Sequence, residues 1–143
     1  MRFTTKTEYG LICLTKMATL HGKKDILPLR EIVDEEHYPL PFVEKIFHVL
    51  RAAGIVHSHP GKGGGYSLAR KPSEITLRQV VDALEGATFD VFCDAPVREN
   101  IVCNHLCFCG IKPVWKRTKE MLDQYYDSIT IDMITKRETV PHA

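Results

Sequence analysis

Four of the chain's five cysteines stand at 93, 103, 107 and 109, in the run CDAPVRENIVCNHLCFC. Thiolates are soft ligands that suit iron–sulfur clusters and zinc, and they are also the groups that carry thiol redox chemistry. The opening MRFTTKTEYG has no apolar signal-peptide core, and no apolar run approaches the ~18 residues of a membrane span. The reading is therefore cytoplasmic, with no membrane partner. In a reducing compartment, clustered cysteines bind metal or do redox work rather than form structural disulfides. The spacing is unlike the paired Cys-x-x-Cys knuckles of zinc ribbons. It fits a loop that wraps its ligand. Cys107 and Cys109 are two positions apart, a strained arrangement for binding one iron together. An iron–sulfur cluster, structural zinc, metal-free thiol sensing and inert cysteines all stay open on the residues alone. The fifth cysteine, Cys13, lies in Leu11-Ile12-Cys13-Leu14 and reads as a small buried hydrophobe.

Elements that would position such a segment are legible on both sides of it. Thr4 and Thr5 precede an amphipathic helix from about Lys6 to His21, stopped by Gly22. Pro28 opens a short helix over residues 30–36. Tyr38-Pro39-Leu40-Pro41 breaks it, and a third helix follows with Val43, Ile46, Phe47 and Leu50 inward, ending at Gly54. Residues 55–59 and 66–69 alternate as strands around Pro60-Gly61-Lys62-Gly63-Gly64-Gly65. Residues 73–85 read as helix four, with Thr76 and Gln79 spaced as a capping box. Helix-turn-helix followed by a hairpin is the winged-helix pattern, a DNA-binding architecture. Beyond the cysteines, residues 113–126 form a longer helix. Its apolar row of Val114, Trp115, Thr118, Met121, Leu122 and Tyr125 calls for a partner, read as a second subunit. A last helical turn is expected at 130–135.

The fold class is thus mainly α with a small β-hairpin wing: a winged helix-turn-helix plus a long C-terminal dimerisation helix. The expected division is a DNA-binding domain at 1–86, a cysteine-rich loop at 87–110, and the dimerisation helix and tail at 111–143. Net charge is only +1, so DNA binding rests on local placement. On the third helix Glu44, Lys45, His48 and Arg51 are left outside the core. Arg reads guanine bidentately, Glu accepts from a cytosine amine, and lysines meet phosphate. Arg2, Thr5 and Lys6 at the start of helix one, with His59 and Lys62 at the wing, complete the candidate contacts to double-stranded promoter DNA. No nucleophile–base motif and no nucleotide fingerprint argues for an enzyme.

Several ordered stretches then carry a resemblance. Met1 to Gly10, Phe42-Val43-Glu44-Lys45-Ile46-Phe47, Leu50 to Val56, Gly63-Gly64-Gly65-Tyr66 and Cys109 to Trp115 together resemble the IscR/NsrR family of winged-helix transcription regulators, over nearly the whole chain. The resemblance implies a homodimer crossed by the long helix. It also implies a regulator, read as a repressor, that senses iron–sulfur status, nitric oxide or redox state. Cys93, Cys103 and Cys109 occupy the places of that family's three cluster cysteines, and a two-iron (2Fe-2S) cluster is favoured over a four-iron (4Fe-4S) one. Glu8 stands where some relatives draw a fourth ligand from the other subunit, with Cys107 and then His105 as rivals. Glu44 matches a position that separates classes of DNA site. Three departures stand out: nine residues between Cys93 and Cys103, Lys112 where the IscR branch has a histidine ligand, and Pro60 where relatives carry a wing arginine. A protonated Lys112 has no lone pair for iron. The alternative is a cluster-free regulator of the same family, acting through a protein partner or thiol oxidation.

Overall fold

The computed structural model describes residues 3–87 and 109–137. In chain order they form α1 (Thr5–Leu20), α2 (Leu29–Val33), α3 (Leu40–Ala52), β1 (Val56–His59), β2 (Gly65–Leu68), α4 (Leu77–Glu85), α5 (Ile111–Ser128) and α6 (Ile131–Lys136), with a 3-10 turn at Pro72–Glu74. The mainly helical winged helix-turn-helix expected from the pattern is what the chain forms.

The core is built where apolar residues recur at helical spacing. Cys13, Leu14 and Met17 of α1 meet Ile32 and Val33 of α2, Val43, Ile46, Phe47 and Leu50 of α3, and Val80 and Leu84 of α4. The four α3 residues are each 0% exposed, and burial of each is worth about 1.5–3 kcal/mol before ordering costs. α3 begins with Pro41 in its first turn, where a missing N–H costs nothing. It ends in a Schellman arrangement. Gly54 takes φ +71, its amide donates to Arg51 O at 3.0 Å, and the Ile55 amide donates to Leu50 O at 2.9 Å.

The wing pairs β1 with β2 antiparallel, in the register Val56–Leu68 to His59–Gly65. It also gains an edge that the alternation did not announce. Leu27 exchanges two backbone hydrogen bonds with Tyr66, at 2.9 and 2.8 Å. This approach accounts for one wing glycine, and the turn itself for another. A Cβ on Gly65 would stand 2.1 Å from Leu27 O, and one on Gly64 would stand 2.0 Å from His59 O. Phe47 packs its ring 4.8 Å from that of Tyr66, which fixes the wing to α3.

The boundaries of α2 and of helix four differ most from the sequence pattern. α2 stops at Val33, because the chain turns through residues 34–37, where His37 adopts φ +54. Helix four does not run unbroken from Ser73. Ile75 is extended, and its carbonyl accepts from the Ile131 amide at 3.0 Å, while the Leu77 amide donates to Ile129 O at 2.8 Å. The helix proper starts at Leu77, with the expected capping box. Gln79 N donates to Thr76 Oγ1 at 3.3 Å, and Thr76 N donates to Gln79 Oε1 at 3.2 Å. The last turn is a helix, α6, and it closes the core. Its Ile131 is 0% exposed and lies among the buried residues, with α6 packed against α1.

Candidate nucleic-acid interface and cysteine site

α3 turns its four apolar side chains inward, and this leaves Glu44, Lys45, His48 and Arg51 exposed on its other sides. Arg51 leans towards the wing, where Nη1 donates to Ser58 Oγ of β1 at 3.3 Å. Its guanidinium is thus aimed at the corner between helix and hairpin. Lys62 is exposed in the turn that joins the two strands. His59 differs from the others. It is half-buried, and its Nε2 lies 2.8 Å from Ser67 Oγ across the hairpin. Thr5 is exposed and Lys6 half-buried in the first turn of α1. The structure therefore gathers Glu44, Lys45, His48 and Arg51 on one helix beside the wing, while Thr5 and Lys6 sit at a separate helix start. Arg2 lies outside the described residues.

Of the cysteine-site residues, Cys93, Cys103, His105 and Cys107 also lie outside the described residues. Cys109 is a free, half-buried thiol two positions before α5 begins. Glu8 is exposed in the first turn of α1. It borders a small cavity of about 180 Å³ between α1, α4 and α5, walled by Phe3, Leu11, Val81 and Tyr126. Among the described residues no three His, Cys, Asp or Glu side chains are gathered as a metal-binding group. Cys13 belongs to the core. Burial, and then the charge of Glu36, push its thiol up to about 12, so it holds its proton at neutral pH and takes no part in thiolate chemistry.

Two features that no local pattern signals hold α4 in place. Arg78 on α4 forms ion pairs with Asp127 at 2.7 Å and Asp123 at 3.3 Å on α5, and with Asp82 at 3.4 Å on its own helix. At the other end of α4, Glu85 accepts hydrogen bonds from Thr4 and Thr7. The pairing of Arg78 with the two α5 aspartates and that of Glu85 with Thr4 and Thr7 join residues far apart in sequence, so periodicity carries no trace of them.

α5 presents an apolar row to solvent. Ile111, Val114, Met121 and Tyr125 are 48%, 54%, 57% and 42% exposed, and among the helix residues only Tyr126 is buried. No helix of the described residues is long and apolar enough to cross a membrane.

The Rrf2 family profile, described as an iron-dependent transcriptional regulator, matches residues 3–137. The chain belongs to the Rrf2 family of transcriptional regulators. It is 30% identical over 131 residues to the protein Rrf2 of Nitratidesulfovibrio vulgaris Hildenborough, covering 92% of this chain and 85% of that one. The solved structure of T. potens IscR is similar at TM-score 0.70 and 30% identity, covering 100% of this chain and 93% of that one. CymR, the global cysteine regulator of B. subtilis, shares the fold at TM-score 0.72 and 24% identity, covering 96% and 98% of the two chains. The matching family is one of transcriptional regulators rather than enzymes, so this chain is a transcriptional regulator, and such a regulator binds DNA.

Proposed function

We propose that this Rrf2-family regulator is a homodimeric repressor whose affinity for promoter DNA is controlled by an iron–sulfur cluster, two-iron in preference to four-iron. The observation that carries the reading is the position of Cys109. This free thiol stands at the foot of α5, the helix whose apolar row is left exposed among the described residues. Cys93, Cys103 and Cys109 would supply thiolates, and Glu8 from the second copy a carboxylate. The donor set suits iron, since thiolates stabilise the cluster and a harder carboxylate makes one bond easier to displace. Glu8 is exposed at the start of α1, so its carboxylate can be approached from outside the protomer.

When bound, the cluster would supply a redox- and nitric-oxide-sensitive centre. The chain's own parts do the rest. Ile111, Val114, Met121 and Tyr125 pair the two copies. Glu44, Lys45, His48 and Arg51 enter the major groove, Lys62 reaches along the backbone or minor groove, and Arg2, Thr5 and Lys6 meet phosphates. His59 contributes by bracing the hairpin through Ser67. The residue division at 86/87 and 110/111 separates DNA reader, cysteine segment and dimer helix.

The test is anaerobic isolation, followed by iron and acid-labile sulfide analysis, a Mössbauer spectrum, and titration against duplexes enriched on the protein from a random-sequence pool. The expected result is stoichiometric iron and sulfide that vanish in Cys103→Ala, with loaded and apo protein differing at least about tenfold in affinity, which is roughly 1.4 kcal/mol. Iron-free protein that still binds the duplexes and still responds to thiol oxidation or a protein partner would overturn it in favour of a cluster-free regulator.

A further inference from the structure

The end of α4 is tied to the start of α1 by a single carboxylate. Glu85 Oε1 receives the Thr4 amide at 3.0 Å, the Thr4 hydroxyl at 2.6 Å, and the Thr7 hydroxyl. Thr7 is 1% exposed, so its hydroxyl has no water to turn to, and losing its acceptor would leave a buried donor unmet. Thr4 is the N-cap residue of α1, yet its side chain makes no cap bond to its own helix. The capping oxygen that would usually accept an amide is turned outward as a donor to Glu85. A carboxylate beside a helix N-terminus also faces the positive end of the helix dipole. Burial pushes the Glu85 carboxyl up, but the hydrogen bonds from Thr4 and Thr7 and the charge of Lys6 outweigh it and hold the group below its usual range. It is ionised at neutral pH.

A second point of contact stops α1 and α4 from sliding. A Cβ on Gly10 would stand 2.6 Å from Leu84 Cδ1, so the two helices touch closely one turn further along. The C-terminal end of α4 and the N-terminal end of α1 are therefore joined at two points. On one side of this joint, Gly86 caps α4 at φ +93, and the chain passes after Ala87 into the cysteine segment. On the other side, adjacent to Thr4, are Thr5 and Lys6.

We propose that Glu85 is a positioning residue for DNA binding, holding Thr5 and Lys6 at the DNA in register with the root of the cysteine segment. The role rests on the DNA-contact reading given above for the start of α1. Displacing the root of the segment would displace Glu85, and Glu85 would carry Thr4, Thr7 and the first turn of α1 with it.

Charge-neutral variants make the cleanest test, because neutralising Glu85 would itself raise the local positive potential. Thr4→Val with Thr7→Val removes both hydroxyl donors at nearly constant shape. In the full chain, this double variant should exchange the amides of residues 7 and 8, which donate to Thr4 O, at least about tenfold faster than wild type, with the rest of α1 unchanged. Its affinity for the enriched duplexes should fall about tenfold, and the slope of log affinity against log salt should lose about one unit, as for a lost phosphate contact. Lys6→Ala alone should lose the same unit, and adding it to the double variant should lose no more. Glu85→Gln, which keeps an acceptor in place, should exchange faster than wild type but slower than the double variant. An unchanged salt slope, or full additivity with Lys6→Ala, would overturn the positioning role even if the helix start frays. If wild-type affinity proves independent of the cluster, the cluster reading falls by itself, and the slope and additivity still decide the case of Glu85.

Discussion

α3 and α5 are both amphipathic helices, yet the molecule treats their apolar faces in opposite ways. α3 hides Val43, Ile46, Phe47 and Leu50 completely within its own chain, while α5 leaves Ile111, Val114, Met121 and Tyr125 between 42% and 57% exposed. Among the described residues one face is covered and the other is not. An apolar row left exposed among the described residues is a surface that a partner could cover, and an identical row on a second copy would be self-complementary. The outer faces differ as well. α3 offers Glu44, Lys45, His48 and Arg51 beside a wing, while the polar side of α5 is held to α4 through Arg78 and two aspartates.

The strongest way to break this comparison is at the two apolar faces. Phe47→Ala should cost about 3–5 kcal/mol of stability by opening a cavity between α3 and the wing, measured by urea unfolding against wild type at the same protein concentration. Val114→Glu with Met121→Glu should do the reverse. Each protomer's stability should stay within about 0.5 kcal/mol, as for exposed substitutions, while sedimentation shows dimer becoming monomer. Wild-type unfolding should then depend on concentration, and that of the variant should not. A variant that stays dimeric would mean that α5 is not the covered face.

How much of this was readable beforehand follows a physical rule. The inward residues of α3, the Thr76–Gln79 capping box and the Gly54 stop are set by neighbours within a few positions, and spacing alone reveals them. The Leu27 edge on the wing, the break at Ile75 and the burial of Ile131 arise from segments far apart in sequence, which no periodicity encodes. The exposure of Glu44, Lys45, His48 and Arg51 was legible, because whatever a core does not use is left outside. The half-burial of His59 was not, because its partner Ser67 lies across the hairpin. The Glu85 and Arg78 joints were invisible for the same reason: each links residues 45 or more positions apart.

A smaller effect separates local from tertiary support for α4. Thr76→Ala removes the acceptor for Gln79 N and should cost about 1 kcal/mol, read from the urea midpoint at constant slope. The backbone bridge from Leu77 N to Ile129 O survives the substitution, so the loss should not reach the upper end for caps. A loss well above about 2 kcal/mol, the upper end for caps, would mean that the bridge itself depends on the cap.

The finest comparison sets an outer lysine of α3 against one of α5. Lys45 and Lys116 are both exposed, and removing either lowers net charge by one. If charge acted only through the overall field, both alanine variants would weaken DNA binding alike. A lysine that meets a phosphate does more, because it releases a condensed counterion and so contributes about 0.9 to the salt slope. Lys45→Ala should lower that slope by about one and weaken binding across all duplexes alike, whereas Lys116→Ala should leave the slope unchanged. Equal slopes for the two variants would remove α3 from the groove, whatever becomes of the cysteine site, because counterion release is counted at the surface that touches DNA and nowhere else.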